Sequence, residues 1–173
     1  DVKINYEINI PPEKTLNAAN GDKVVVFIEK FYDYKKNPDG IVLEVLGKSN
    51  SIEAEILSII RSYNLYESFP KDVIKEAENL PQSVDANRYS SRVDYTGQLS
   101  FTIDGEDARD FDDSVALDEN KDGTVTLYVH IADVNEYVKQ GSALDKEAFK
   151  RGTSVYFPSL VLPMLPQNLS NGV

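Results

Sequence analysis

The chain has 173 residues, of which 41% are hydrophobic and 27% charged, and this globular composition excludes a disordered chain. Cysteine is absent, which excludes disulfide frameworks, thiolate metal sites and cysteine nucleophiles and fits a reducing, cytoplasmic location. The formal net charge of −11 argues against a general nucleic-acid binder, because such proteins usually present a basic face to the phosphates.

No apolar run approaches the roughly 20 residues of a membrane span, and the N-terminus is not a signal peptide. No membrane partner is therefore expected. The chain lacks an initiator methionine, and it begins and ends within patterned sequence. We therefore expect a fragment of a longer protein.

Residues 1–48 predict the strands of part of a small β-barrel. The runs "VKINYEINI", "DKVVVFIEKF" and "IVLEVLG" are typical of strands, and the last two predict a hairpin closed by "NPDG" at 37–40. These strands are too few for a closed barrel. The hairpin also mixes aromatic and basic residues, a weak sign of nucleic-acid binding that is equally common at hairpin tips: Tyr32, Tyr34, Lys35 and Lys36.

Residues 49–96 predict a helical connector and a linker. After Ser51, a candidate N-cap, apolar residues recur at helical spacing: Ile52, Ile56, Ile59, Ile60 and Tyr63. A second helix is predicted to begin near Pro70 and to run to Pro81, because proline is well tolerated at the first helical position. Residues 82–96 are polar and irregular, which indicates a surface loop.

From residue 97 the pattern returns to strands. "LSFTI" predicts a strand that runs into Asp104, and "DSVALDENKDGTVTLYVHIADV" predicts a hairpin that turns at Asp122-Gly123, with Leu127, Val129 and Ile131 on one face. Ser142, with Asp145 three residues later, predicts a helix that ends at Gly152. The final run "TSVYFPSLVLPMLP" predicts an extended segment broken by prolines.

The run "TIDGEDARDFDDSV" concentrates negative charge between two apolar strands. Its carboxylates are Asp104, Glu106, Asp107, Asp110, Asp112 and Asp113. Because carboxylates packed together repel one another, they take up protons unless a cation lies among them. Mg²⁺ or Mn²⁺ is the expected cation, and such ions drive attack of water on a phosphodiester. The alternative is a solvated acidic loop, which the flanking strands and the spacing of Asp104, Asp110, Asp112 and Asp113 disfavour.

Three other patterns indicate different chemistry. "DENKDG" at 118–123 matches the opening of an EF-hand calcium loop, but Val129 occupies the twelfth position, where a glutamate is required, so a hairpin turn is favoured. His130, the single histidine, lies within a strand and is expected to be structural. Tyr156 is of the type that stacks on bases, but its neighbours Val155 and Phe157 favour a place in the core.

Several long motifs follow one another in an order that resembles a known family. "TIDGEDARDFDDSV", "LYVHIADV", "GSALDKEAFKRGTSVYFP" and "LPMLPQNLSNG" are similar to the opening of the catalytic domain of the ribonuclease II / ribonuclease R exoribonucleases. Within this family, the motif "DGEDARDFDD" most resembles the ribonuclease R branch. Upstream, "IVLEVLG", "ILSIIRSYNL" and "FPKDVIKEAE" extend the resemblance into the region where this family has cold-shock-type OB barrels.

The resemblance implies a fold. The expected architecture is α+β, with a partial OB or cold-shock-type domain at 1–48, a helical connector and linker at 49–96, and the N-terminal part of the RNB catalytic domain at 97–173. Because the catalytic domain of this family continues beyond such a segment, the chain is expected to be a truncated piece without activity of its own.

The resemblance also implies a site and a reaction. Asp104, Asp110, Asp112 and Asp113 hold Mg²⁺, with Mn²⁺ as a possible substitute, Asp112 is catalytic, and Tyr156 stacks on the 3′-terminal base. The implied reaction is processive 3′→5′ hydrolysis of single-stranded RNA, or of RNA with a 3′ overhang, to 5′-nucleoside monophosphates. Two alternatives stay open: an OB-type RNA-binding module without catalysis, and a calcium-binding interaction domain.

Overall fold

The computed structural model describes residues 7–32, 36–81, 83–106, 108 and 111–170. The chain divides into two compact units, Asp1–Tyr66 and Glu67–Val173, and each unit contains both helices and strands. This mixture confirms the predicted α+β class. No helix in the described ranges combines the length and the apolar sequence needed to cross a membrane.

The first unit is a β-hairpin with one helix packed on it. β1 (Asp22–Lys30) and β2 (Asp39–Lys48) pair antiparallel, and α1 (Ile52–Ser62) packs on both strands, mainly on β2. The predicted turn at 37–40 needs a correction, because Asp39 already pairs with Lys30 and belongs to β2. A short 3₁₀ helix, Pro12–Lys14, precedes β1.

The barrel is not closed in the part of the chain that the structure describes, where β1 and β2 form a two-stranded sheet. Residues 2–6 of the predicted N-terminal strand, "VKINYEINI", lie outside the described residues. The remainder of that run contributes an isolated parallel bridge between Asn9 and Asp39. The Asn9 amide donates to the Pro38 carbonyl at 2.8 Å, and the Gly40 amide donates to the Asn9 carbonyl at 2.9 Å.

α1 follows the signals predicted for it. The Ser51 hydroxyl accepts a hydrogen bond from the Ala54 amide at 3.1 Å, which satisfies an amide that the first helical turn leaves unpaired. Ile56 and Ile60 are buried, together with Val42 and Leu46 of β2, and form the core of this unit. The other apolar residues of the predicted pattern, Ile52, Ile59 and Tyr63, are exposed.

The helical part of the second unit packs around α2 (Lys71–Glu78), α4 (Ala143–Arg151) and the short α5 (Gln167–Ser170). Its core consists of Val73, Ala77, Leu144 and Leu165. As predicted, the Ser142 hydroxyl caps α4 by accepting from the Asp145 amide at 3.2 Å, and the helix ends at Gly152, whose φ is +76°. α2 begins after Pro70, one residue later than predicted.

The strands of the second unit form two separate sheets. β3 (Ser100–Phe101), β4 (Asp113–Glu119) and β5 (Val125–Ile131) form an antiparallel sheet in that order, and the short helix α3 (Val134–Tyr137) follows β5. β6 (Val155–Phe157) and β7 (Leu160–Leu162) form a second hairpin. The run "TSVYFPSLVLPMLP", which was predicted to be extended, therefore turns back on itself through this hairpin.

The prediction of a strand across "LSFTI" is wrong in extent. Only Ser100 and Phe101 pair with β4, opposite Ala116 and Val115. A strand needs a hydrogen-bonded neighbour as well as a suitable pattern, and Ile103 lies beyond this pairing with 83% of its surface exposed.

The predicted division at residues 48 and 96 stays a prediction. In the structure α1 packs within the first unit and α2 packs on α4 within the second, so the two predicted helices of the connector belong to different compact units.

A buried ion pair joins distant segments of the second unit. Arg151 and Glu147 on α4 expose only 4% and 7% of their side chains, and the Arg151 Nε atom donates to the Glu147 carboxylate at 2.9 Å. The same guanidinium donates to the carbonyls of Ser68 at 2.6 Å and Pro163 at 3.2 Å, and it lies 3.8 Å from the centre of the Phe69 ring. One side chain therefore connects α4 to the segments before α2 and after β7.

We expect Arg151→Met to lower the free energy of unfolding of the second unit by about 3–5 kcal/mol, because Glu147 is left buried without its partner. Urea unfolding followed by circular dichroism measures the change. Lys150→Met is the matched control, since its Nζ lies 3.8 Å from the same carboxylate but is half exposed, and we expect a loss below about 1 kcal/mol. Equal losses in the two variants would contradict this account.

Candidate metal centre

Two of the four predicted metal ligands lie where β4 begins. Asp113 is the first residue of β4 and pairs with Ile131 of β5. Asp112 lies just before the strand, and its carbonyl accepts a hydrogen bond from the Ala132 amide at 2.9 Å. The backbone at Asp112 is therefore attached to the residue that follows β5.

The other two predicted ligands do not lie in a described helix or strand. Asp104 lies three residues after the end of β3, in a segment without regular structure, and Asp110 lies outside the described residues. Asp104, Asp112 and Asp113 are all exposed. Of the two remaining acids of the run, Glu106 is exposed and Asp107 is outside the described residues.

Across the described residues, no three histidine, cysteine or acidic side chains are grouped closely enough to hold one metal ion. The convergence of four aspartates thus stays a prediction, since it requires Asp110. The chemistry of the donors fits Mg²⁺ or Mn²⁺, because all four are carboxylates. Among the described residues, no ion pair joins Asp104, Asp112 or Asp113 to a lysine or an arginine.

The predicted hairpin turn lies at 120–124, because Asp118 and Glu119 still pair with Thr126 and Val125, and this arrangement differs from a calcium loop. The Asn120 amide donates to the Thr124 carbonyl at 2.8 Å, and Gly123 has a φ of +83°, which glycine adopts without strain. Asp122 accepts from the Thr124 hydroxyl at 2.7 Å and from its amide at 3.0 Å, and these bonds lower the pKa of Asp122. The segments on either side are β4 and β5, whereas an EF-hand requires helices.

His130 has the contacts of a structural residue, as predicted. Its Nε2 atom lies 3.1 Å from the Gln98 side-chain oxygen, and its ring stacks on Tyr128 with the centroids 6.2 Å apart. Tyr95 lies against both rings, at 5.6 Å from Tyr128 and 5.5 Å from His130. This cluster covers one face of the sheet with half-buried polar and aromatic groups.

Tyr156 is not a core residue. It lies on β6 opposite Val161, with 63% of its surface exposed. The assignment to the core from its apolar neighbours is wrong, because alternation along a short strand turns Tyr156 away from Val155 and Phe157, which are half buried. Its contact with RNA stays a prediction.

The aromatic and basic residues of the first hairpin bind one another. Lys36 Nζ lies 3.9 Å from the centre of the Tyr32 ring and Lys30 Nζ lies 4.9 Å from it, while the Tyr32 hydroxyl donates to Asp39 at 2.5 Å. Tyr32 is therefore engaged in holding the hairpin connection. Tyr34 and Lys35 lie outside the described residues.

A group of polar residues beside Asp112 was not predicted. Arg92 donates to the Asp133 carboxylate at 2.6 Å and lies 3.7 Å from Glu136, and the Tyr89 hydroxyl lies 3.3 Å from Glu136. The hydrogen bond that Arg92 donates to Asp133 raises the pKa of Arg92, and desolvation raises the pKa of Tyr89. No periodic pattern marks these residues, since Arg92 and Asp133 are 41 positions apart and meet only through the fold.

Comparison with known proteins finds similar families and relatives along the whole chain. The RNB domain family matches residues 92–173, and the cold shock domain family matches residues 1–70. Ribonuclease R of Thermotoga maritima is 45% identical over 175 aligned residues, which cover all of this chain and 25% of that protein. The chain thus spans about a quarter of the length of this curated relative.

Solved structures with the same fold bind RNA. Mycoplasma genitalium RNase R in complex with double-stranded RNA superposes with a TM-score of 0.83 at 27% identity, covering 96% of this chain and 30% of that chain. The same protein in complex with ribose methylated single-stranded RNA gives a TM-score of 0.82 at 27% identity, with coverage of 96% and 26%.

We expect residues 118–123 to bind no Ca²⁺ at micromolar concentrations, because the side chains of Asn120 and Asp122 are engaged with Thr124 and the twelfth position carries valine. Isothermal titration of the chain with Ca²⁺ tests this. Micromolar binding that is lost in Asp118→Ala and kept in Asp112→Asn would favour the calcium-binding alternative instead.

Proposed function

Because this chain belongs to the ribonuclease R family, we propose that it supplies the acidic metal-binding part of a Mg²⁺-dependent, processive 3′→5′ exoribonuclease. The observation that carries the proposal is the match to the cold shock and RNB domains, in order along the chain, together with the run "DGEDARDFDD" at 104–113, whose last residue is the first residue of β4. We propose a cytoplasmic location for the enzyme.

In this proposal the carboxylates of Asp104, Asp110, Asp112 and Asp113 hold the metal ion. Bound Mg²⁺ neutralises charge at the scissile phosphate and lowers the pKa of water. The β4–β5 pairing fixes the backbone at Asp112 and Asp113, so that their carboxylates need little rearrangement when the substrate enters. Asp112 is the residue closest to the chemistry, as the family resemblance implies.

The proposed substrate is single-stranded RNA or RNA with a 3′ overhang, released as 5′-nucleoside monophosphates. Tyr156 is exposed and offers an aromatic surface to the 3′-terminal base. Stacking of this kind tolerates every base, because each has a π-face, and it therefore suits an enzyme that degrades RNA without regard to sequence. The structures of the M. genitalium relative with RNA support this choice of substrate class.

We expect Asp112→Asn to lower kcat for nucleotide release at least about a hundredfold, because one charge that stabilises the transition state is lost. The measurement is release of mononucleotides from 3′-labelled single-stranded RNA by the full-length parent with Mg²⁺. RNA affinity should change little, because the substitution leaves the groove in place.

Glu106→Gln in the same parent is the matched control, since it removes one charge from the same run at an exposed position, and its kcat should be unchanged. Equal loss of binding and cleavage in Asp112→Asn would indicate a structural role for Asp112. Full activity in Asp112→Asn would refute a catalytic role for Asp112, and absence of mononucleotide release by the unaltered parent would favour the alternative of an RNA-binding module without catalysis.

We expect the 173-residue chain alone to turn over RNA at least about a hundredfold more slowly than the parent, because loss of substrate positioning removes several kcal/mol of barrier reduction. At a net charge of −11 the chain also repels phosphates. Mononucleotide release by the purified chain measures this. Turnover near that of the parent, abolished by Asp112→Asn, would overturn the expectation.

A further inference from the structure

A guanidinium group links the segment before β3 to the turn after β5. The Arg92 side chain donates to Asp133 at 2.6 Å. The backbone amide of Arg92 donates to the Tyr89 carbonyl at 2.8 Å, which fixes the backbone at Arg92. Its guanidinium also lies 5.1 Å from the centre of the Tyr89 ring. Arg92 is therefore held from its own side before it reaches across to Asp133.

The residue that Arg92 binds is next to the one that holds Asp112. Asp133 follows Ala132, whose amide donates to the Asp112 carbonyl at 2.9 Å, and Ala132 accepts in turn from the Val134 amide at 3.0 Å. The path from Arg92 to Asp112 thus runs through one ion pair, one peptide bond and one backbone hydrogen bond. A movement of Asp133 moves the donor to Asp112 directly.

A surface cleft opens on one side of this contact. A cleft of about 620 Å³ opens beside it, between the segment that includes Arg92 and Tyr95 and the turn that includes Ala132, Asp133 and Val134. Close-packed side chains would hold the turn without help, but here they leave space. Arg92 and Tyr89 reach the turn and α3 across this space through Asp133 and Glu136.

The contribution of the pair to overall stability is small. Arg92 and Asp133 expose 50% and 45% of their side chains, and ion pairs at such exposure add little to the free energy of unfolding. We propose that Arg92 is a positioning residue for Asp112, which holds the Ala132 amide against the Asp112 carbonyl and so fixes the direction from which Asp112 meets the metal ion. This inference rests on the proposed metal site.

The test uses the 173-residue chain and two readouts. In Arg92→Gln we expect the Ala132 amide to exchange with deuterium about two- to fivefold faster, as the loss of one partly exposed ion pair permits. Mn²⁺ affinity, measured by electron paramagnetic resonance, should weaken by a similar factor, while the urea midpoint of unfolding stays within error. Arg92→Lys keeps the charge but loses the planar guanidinium, so its exchange rate at Ala132 and its Mn²⁺ affinity should lie between those of the unaltered chain and those of Arg92→Gln.

Arg88→Gln is the matched control, because Arg88 lies in the same segment and is not part of this ion pair; neither readout should change. Asp133→Asn should change both readouts in the same direction as Arg92→Gln, and the double variant should change them by less than the sum of the two, since both substitutions remove the Arg92–Asp133 interaction. Unchanged exchange at Ala132 overturns the proposal, as does faster exchange throughout β4 and β5 with a matching loss of unfolding free energy.

Failure of the proposed metal site gives a different result. If Asp112→Asn leaves the Mn²⁺ affinity unchanged, the proposed metal site itself is refuted. Asp112→Asn that weakens Mn²⁺ binding, with Arg92→Gln that does not, keeps the metal site and refutes the positioning role of Arg92.

Discussion

The register of the β4–β5 hairpin is the constraint on which the candidate site depends. Pairing starts at Asp113–Ile131 and continues without a shift to Glu119–Val125. A slip by one residue would turn Asp113 to the opposite face of the sheet and would remove the bond between Ala132 and Asp112. The turn prevents this slip, because Asn120 and Asp122 both bind Thr124 and fix its length. The backbone at Asp112 and Asp113, two of the acids that are proposed to hold metal, is therefore positioned by a hairpin whose turn lies at its far end.

The sequence predicted well those features that depend on neighbouring residues. The caps at Ser51 and Ser142 and the Asp122-Gly123 turn each involve atoms within a few positions, so the residues alone determine them. The contacts that were not predicted join distant positions, such as Arg92 with Asp133 and Arg151 with Ser68. For the candidate site, the sequence indicated the acids and their order along the chain. It did not indicate the polar residues beside Asp112, and Asp110 lies outside the described residues.

Alternation along a strand predicts which side chains share a face, but it does not predict which face is covered. β5 alternates as expected, yet Leu127, Val129 and Ile131 are all more than half exposed. The covered face carries Tyr128 and His130, because Tyr95 and Gln98 lie against them. The burial of a face depends on a packing partner that the strand sequence does not contain. The same reasoning explains Tyr156, whose apolar neighbours indicated a core position that the fold does not provide.

The distribution of charge limits how this chain can meet RNA. Several of its cations are already neutralised in ion pairs, including Lys23 with Glu55, Arg61 with Glu44 and Arg151 with Glu147. Binding driven by the release of counterions needs free lysine and arginine side chains along the backbone of the nucleic acid. At a formal net charge of −11, the proposed site adds two kinds of contact that do not depend on a basic groove: a phosphate at a metal ion, and a base stacked on an aromatic ring. In the proposed function both contacts are made at the 3′ end of the RNA, by Asp112 and Tyr156, and under that proposal the acidic run and the exposed tyrosine favour binding of the end of an RNA strand over binding along its length.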